Sequence, residues 1–336
     1  MAKRIARGVV AFDAPAIIIG QAAVGGKMEQ EGPLGHLFTQ CFAHEREATW
    51  EKDESALQRA AIQHAFASAN CTCEDIDLHL GGDLINQCTA TSFALREEKL
   101  PFAGIYAACA NFALSLLLAA QGLDNGGLTR ASCCGSSHFC AAEKQFRFPL
   151  ELGVQPPPTA QHTATAAGAI VLAQRNEAPL PRITAGIFGH VIDLGINDPN
   201  EMGAAMAPAA WDTLRRFLQA TNTSSNDYDC ILTGDLSQIG SSLLIELAQT
   251  EAGFDISKQH SDCGTMLYDL NAQNVGTGGS GLGCSAAVLC ADILPKLHRG
   301  ELNRVLFIGT GALLSAISPL QGESIPAIAH GILLEA

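Results

Sequence analysis

Cys109 follows a strand-like run at residues 102–106 and opens an apolar stretch at residues 109–120. At a strand-to-helix junction the sulfur meets the positive end of the helix, which lowers a thiol pKa and exposes a nucleophile. A small buried residue in a tight turn fits the same place, so residue type leaves both roles open. Two glycine-rich stretches could aim backbone N–H groups at a ligand. One is Gly276-Thr277-Gly278-Gly279-Ser280-Gly281-Leu282-Gly283, ahead of a second apolar run, and the other is Gly309-Thr310-Gly311-Ala312, at a strand end. Close packing between elements would explain both equally well. Cys71-Thr72-Cys73 and Cys133-Cys134 lack the second pair and the His of a zinc site, so no metal is assigned.

The elements that must position these residues come from an internal repeat. Asp75-Ile76-Asp77-Leu78-His79-Leu80-Gly81-Gly82-Asp83-Leu84 returns as Asp227-Tyr228-Asp229-Cys230-Ile231-Leu232-Thr233-Gly234-Asp235-Leu236, 152 positions later (235 − 83). Cys109 and its apolar run lead to Arg130, and Cys284 and its run lead to Arg304, at spacings of 21 (130 − 109) and 20 (304 − 284). Two halves are expected, residues 1–175 and 180–336. β-rich runs at 17–20, 76–80, 183–188, 228–232 and 305–308 alternate with helical stretches, which predicts an α/β fold. Residues 50–70 carry a single apolar stripe at Leu57, Ala61, Ala65 and Ala69. The runs headed by Cys109 and Cys284 are apolar all round and are expected side by side between sheets. Pro295 conflicts with the second run, because proline costs about 3 kcal/mol in a helix interior. Residues 25–38 and 136–162 do not repeat, and long irregular segments of this kind often carry function.

Composition limits the partners. Only 16% of the 336 residues are charged and 47% are hydrophobic, which excludes a disordered chain. Twenty basic against 34 acidic side chains give a net charge of -14, a field that repels nucleic acid. The 12 cysteines sit mostly in apolar stretches, as in a reducing compartment. No segment reads as a signal peptide, and the longest apolar run, residues 105–120, is shorter than the ~20 residues of a membrane span. A soluble protein, or one peripheral to a membrane, is expected.

The duplicated halves, the helix behind Cys109 and the terminal Gly309-Thr310-Gly311 resemble the thiolase fold of ketoacyl synthases, with layered α-β-α-β-α halves. The detailed strings are similar to the stage V sporulation protein AD family. They include Gly32-Pro33-Leu34-Gly35, Gly82-Asp83-Leu84-Ile85-Asn86-Gln87, Ser136-Ser137-His138, Gln145-Phe146-Arg147-Phe148-Pro149, Ala205-Met206-Ala207-Pro208 and Ile328-Ala329-His330-Gly331. The resemblance implies a homodimer in the forespore or spore, peripheral to the inner spore membrane. It would bind dipicolinic acid or its calcium chelate beside membrane subunits of the same operon. Calcium would enter only with that chelate, and no other cofactor is implied.

Condensing enzymes of this fold pair the cysteine with a His and a second His or Asn. Here the corresponding strings, Thr233-Gly234-Asp235-Leu236-Ser237 and Gly281-Leu282-Gly283-Cys284-Ser285-Ala286-Ala287, contain neither. The resemblance therefore implies a pocket kept for binding, with Cys109 a vestigial nucleophile. The alternative is an active acyltransferase whose base is His138, His162, His190 or His330. For a dicarboxylate the expected contacts are Cys109, Ser136, Ser137, His138, Arg147, Gly281 and Gly311, with Lys144 adding charge and Phe146 or Phe148 stacking on the ring. Asp83 and Asp235 are expected to converge at strand ends, where they suit calcium or cap a helix.

Overall fold

The computed structural model describes residues 2–44, 47–146, 156–175 and 178–336. The first half carries strands β1 (Lys3–Ala6), β2 (Val9–Gly25), β3 (Gln40–Cys41), β4 (Leu78–Gly82), β5 (Phe102–Gly104), β6 (Arg130–Ser137), β7 (His162–Thr163) and β8 (Ala166–Ala173). Its helices are α1 (Lys27–Gln30), α2 (Trp50–Ser68), α3 (Thr89–Leu95), α4 (Asn111–Asp124) and α5 (Phe139–Phe146). The second half carries β9 (Arg182–Ile187), β10 (Cys230–Thr233), β11 (His260–Asp262), β12 (Gly279–Ser280), β13 (Arg304–Ala312) and β14 (Ala327–Glu335). Its helices are α6 (Met202–Thr221), α7 (Ser237–Ala252), α8 (Cys263–Leu267), α9 (Leu282–Val288) and α10 (Leu294–His298).

The main sheet runs β11-β10-β13-β14-β9-β2-β8-β6-β4-β5, with β1 and β3 attached to β2. The halves meet where β2 pairs antiparallel with β9. Outward from that seam, β2-β8-β6-β4-β5 is antiparallel, antiparallel, parallel, parallel. The sequence β9-β14-β13-β10-β11 repeats the same senses. Local devices repeat too. Thr72 with Asp75 and Ser224 with Asp227 form capping boxes, each before a strand. Asp77 Oδ2 accepts from the N–H groups of Thr129 and Arg130, and Asp229 Oδ2 accepts from those of Asn303 and Arg304.

Helix α2 starts at Thr49, whose hydroxyl accepts from Lys52 N, and it packs its stripe on β2, β8 and β6. On the opposite side α6 lies on β13 and β14 and packs against α7. Between them, α4 touches β2, β4 and β6 as well as β13 and β14, while α9 lies on β8 and β6. The order is thus helix, sheet, helix, sheet, helix. Phe112, Leu116, Leu117 and Leu123 of α4 are fully buried, each contributing about 1.5–3 kcal/mol by burial.

Two expectations about these helices need correction. Cys109 lies two residues ahead of α4, in a turn where Ala108 takes φ +47°, and Cys284 is the third residue of α9, not its head. The proline conflict resolves through a π-helical turn at Leu289–Ile293, after which Pro295 sits in the first turn of α10. The wider turn spares the i−4 carbonyl that a proline ring would strike in a continuous α-helix.

Candidate functional site

Cys109 is buried at the floor of a small cleft shared by both halves. Ala108, just before it, holds a left-handed backbone that only a constrained turn imposes on a residue with a side chain. Strand β13 closes in behind this turn. A side chain on Gly311 would meet Ala107 O at 2.6 Å, and one on Gly309 would meet Ala113 Cβ at 2.8 Å. Glycine is required here for close approach.

Asp235, at the end of β10, accepts from Thr310 Oγ1 at 2.7 Å and from Gly281 N at 2.9 Å, and lies beside the Cys109 thiol. Burial pushes this carboxyl up to about 7 against those stabilising bonds. Burial first, and then the Asp235 charge, keeps the Cys109 thiol protonated well above its ordinary range. Among the described residues lining the cleft there is no imidazole. Ser280 was not anticipated: it lines the cleft, and its buried hydroxyl has no protein partner. The cleft is small, about 40 Å³.

Ser137 belongs to the scaffold of this cleft. Its hydroxyl donates to Ala164 O and accepts from Gly283 N, tying β6 to the start of α9. Ser136, its neighbour on the strand, serves another network, since adjacent side chains on a strand take opposite faces. It donates to Glu54 at 2.7 Å and accepts from Gln58 at 2.6 Å, and Gln58 also donates to Thr91. Thr91 in turn donates, by hydroxyl and backbone, to Asp83 Oδ2. Asp83 and Asp235 therefore anchor separate hydrogen-bond networks. Burial, followed by the Asp83 charge, raises the Glu54 carboxyl well above its usual range.

The other expected ligand residues disperse. Arg147 and Phe148 lie outside the described residues. Lys144 pairs with Glu51 at 2.9 Å and lies over the Trp50 ring. Phe146 does line the Cys109 cleft. His138 instead lines a second cavity, together with His162, whose ring stacks on Phe139. His190 pairs with Asp212, and His330 accepts from Gly189 N, its pKa lowered to about 4 by burial. Among the described residues no group of three His, Cys, Asp or Glu is arranged to hold a metal, and the twelve cysteines are free thiols.

The second cavity measures about 330 Å³ and is walled by the two segments that do not repeat: Gly26, Lys27, Met28 and Glu29 on one side, His138, Phe139, Cys140 and His162 on the other. Its floor is Glu29, only 1% exposed. Glu29 Oε1 accepts from the Tyr268 hydroxyl and from Thr165 N, while Oε2 is buried with no hydrogen-bond partner among the described residues. Burial raises the Glu29 carboxyl, against the hydrogen bond from Tyr268. The lack of repetition in residues 25–38 was the available signal, but no local pattern marks Glu29 itself.

Solved structures with this fold include an OleA variant from Xanthomonas campestris, with a TM-score of 0.63 and 15% identity, covering 97% of this chain and 99% of that one. Another is 3-oxoacyl-(acyl-carrier-protein) synthase III from Aquifex aeolicus VF5, with a TM-score of 0.57 and 14% identity, covering 96% and 100%. At those identities they show the thiolase-like fold alone. Stage V sporulation protein AD of Bacillus subtilis (strain 168) is 41% identical over 326 residues, covering 96% of this chain and 95% of that protein. The family described as Stage V sporulation protein AD matches residues 6–335, and the chain belongs to that family of sporulation proteins.

Proposed function

We propose that this thiolase-like sporulation protein binds dipicolinate, free or as its calcium chelate, for the spore's uptake machinery, and performs no acyl transfer. The observation that carries the second half of this reading is the state of Cys109. Its thiol lies beside a buried carboxyl, and no imidazole among the described residues lines its cleft. Acyl transfer needs a thiolate, a base and donors for the oxyanion. A carboxylate beside the sulfur opposes the first, and Gly281 N donates to Asp235. The dipicolinate half rests on the family resemblance.

Of the residues expected to hold ligand, Cys109 and Gly281 line a cleft of about 40 Å³, and His138 faces a second cavity of about 330 Å³. The same reading takes residues 1–175 and 180–336 as two copies of one half. It also takes the protein to be a homodimer at the inner spore membrane beside membrane subunits of its operon. Supporting the dimer, β5 is a sheet edge, and Phe93, Phe102 and Tyr106 around it are exposed. Among the described residues no helix is long and apolar enough to cross a membrane.

Calorimetric titration of the protein with dipicolinate, with and without calcium, tests the binding. Saturable heat is expected in at least one arm, and none in either refutes it. Intact-mass analysis after incubation with acyl-CoA tests the chemistry. An unmodified mass is expected, and a thioester on Cys109 would establish the acyltransferase alternative.

A further inference from the structure

Among the described residues, the four most exposed large apolar side chains are Val191, Leu194, Ile317 and Leu320, which leave between 58% and 86% of their surface to solvent. They stand on two loops, residues 190–201 between β9 and α6 and residues 313–326 between β13 and β14. The loops are tied to each other. Ile192 and Ala327 exchange backbone hydrogen bonds at 2.8 Å, Ile325 N donates to Ile196 O at 2.7 Å, and Ser324 donates to Asp193 at 2.6 Å. Single exposed apolar residues need no explanation, but four gathered on one bonded framework mark a face that another molecule covers.

Charge selects the occupant. The two loops carry Asp193, Asp198, Glu201 and Glu323 and no Lys or Arg. The basic residues of the adjoining α6, Arg215 and Arg216, are paired with Asp212. A second copy of the chain would set these carboxylates against their own equivalents, with a net charge of -14 on each copy. An anionic bilayer is repelled in the same way. A partner that places Lys or Arg beside apolar side chains is attracted on both counts, and the ends of membrane-spanning helices are built of such residues. We propose that the paired loops are the docking surface for a Lys- or Arg-bearing apolar segment of a membrane subunit; this rests on the reading above that the protein works beside such subunits. Both loops adjoin the walls of the Cys109 cleft, since Met202 follows the first and Ala312 and Leu314 border the second. A segment docked on them lies alongside that cleft and shortens the ligand's path between protein and membrane.

Co-purification from detergent extracts, with the full-length protein co-expressed with the membrane subunits of its operon, tests the surface, each variant being checked for folding by circular dichroism. The parent should be recovered with those subunits. Leu194→Asp combined with Leu320→Asp should cut the recovery about tenfold or more, and Glu323→Lys should cut it severalfold by reversing one of the attracting charges. Phe254→Asp alters an exposed apolar residue ahead of β11, at the opposite edge of the parallel strands, and should leave recovery unchanged. Full recovery of the Leu194 and Leu320 double variant would overturn the docking surface and leave the membrane reading standing. Light scattering that shows this variant as a monomer and the parent as a dimer would give the face to a second copy. Loss, in the same variant, of parental binding to subunit-free phosphatidylglycerol vesicles would give it to lipid, and either result overturns the proposal. A parent protein recovered without any membrane subunit would instead overturn the membrane partnership itself, and the docking surface with it.

Discussion

Asp83 and Asp235 are the same residue of a duplicated motif, at the ends of β4 and β10, and the two halves use them differently. Asp83 bonds within its own loop, to Ile85 N and to Thr91, two and eight residues away. Asp235 bonds across the molecule, to Gly281 and Thr310, 46 and 75 residues away, and lies beside Cys109 of the other half. The strand registers place Gly135 beside Gly82 and Ile308 beside Thr233, so Ser136 and Thr310 occupy corresponding places. Thr310 reaches its aspartate directly, while Ser136 is linked to Asp83 only through Gln58 and Thr91. One copy locks a local turn; the other clamps three distant segments around a thiol.

The largest expected difference is in stability. Asp235→Ala leaves the Thr310 hydroxyl without an acceptor and the Gly281 N–H buried without a partner, and at ~1–3 kcal/mol per group it should cost about 4 kcal/mol in urea unfolding at pH 6. Asp83→Ala should cost about 2 kcal/mol, since it also removes the charge that opposes Glu54. Equal costs would break the comparison.

A pH series sharpens it. The folded pKa of Asp235, about 7, lies above the ordinary 3.8, so the folded state holds more protons between those values. Its contribution to stability is therefore full below pH 4 and is lost as pH rises through 7. Relative to the parent, Asp235→Asn should gain about 2–3 kcal/mol between pH 5 and 7, at ~1.4 kcal/mol per unit. The variant-minus-parent difference is the quantity to read. Buried His79, His260 and His330, each lowered to about 4, shift stability the opposite way between pH 4 and 6.5 and cancel in it.

Double-mutant cycles measure the wiring itself. Thr310→Val with Asp235→Asn should couple by about 1 kcal/mol, whereas Ser136→Ala with Asp83→Asn should couple by less than ~0.5 kcal/mol, their link being indirect. The smallest effect is on reactivity. Iodoacetamide should modify Cys109 more slowly than the partly exposed Cys73, and Asp235→Asn should speed the Cys109 reaction by a few-fold by removing the charge that opposes the thiolate. Peptide mass mapping at pH 8 reads both rates, and no acceleration would show that burial alone controls the sulfur.

Much of this architecture was legible before any coordinates. The repeat at Asp75–Leu84 and Asp227–Leu236 foretold corresponding strands, because identical hydrophobic alternation and identical turn residues make identical local choices. The all-apolar runs after Cys109 and before Pro295 marked the central helices, since only burial on every side tolerates such a pattern. Gly281, Cys109 and Asp235 were named and do meet. Asp83 spends its hydrogen bonds on its own loop instead, because sequence identity between the copies says nothing about which partner the fold brings to each carboxylate. Ser280 and the Glu29–Tyr268 pair, 239 residues apart, carry no local signature at all.

The sequence alone determined the fold class, the duplicated plan, the family and the lack of a His in the two expected catalytic strings, because each depends on residue type and on spacing along the chain. Only the tertiary structure decided that the cysteine cleft is small, that Asp235 lies beside the thiol, and that His138 lines a roomier cavity. Those properties depend on distances between segments far apart in the chain and on the water their packing excludes, which no short window of residues contains.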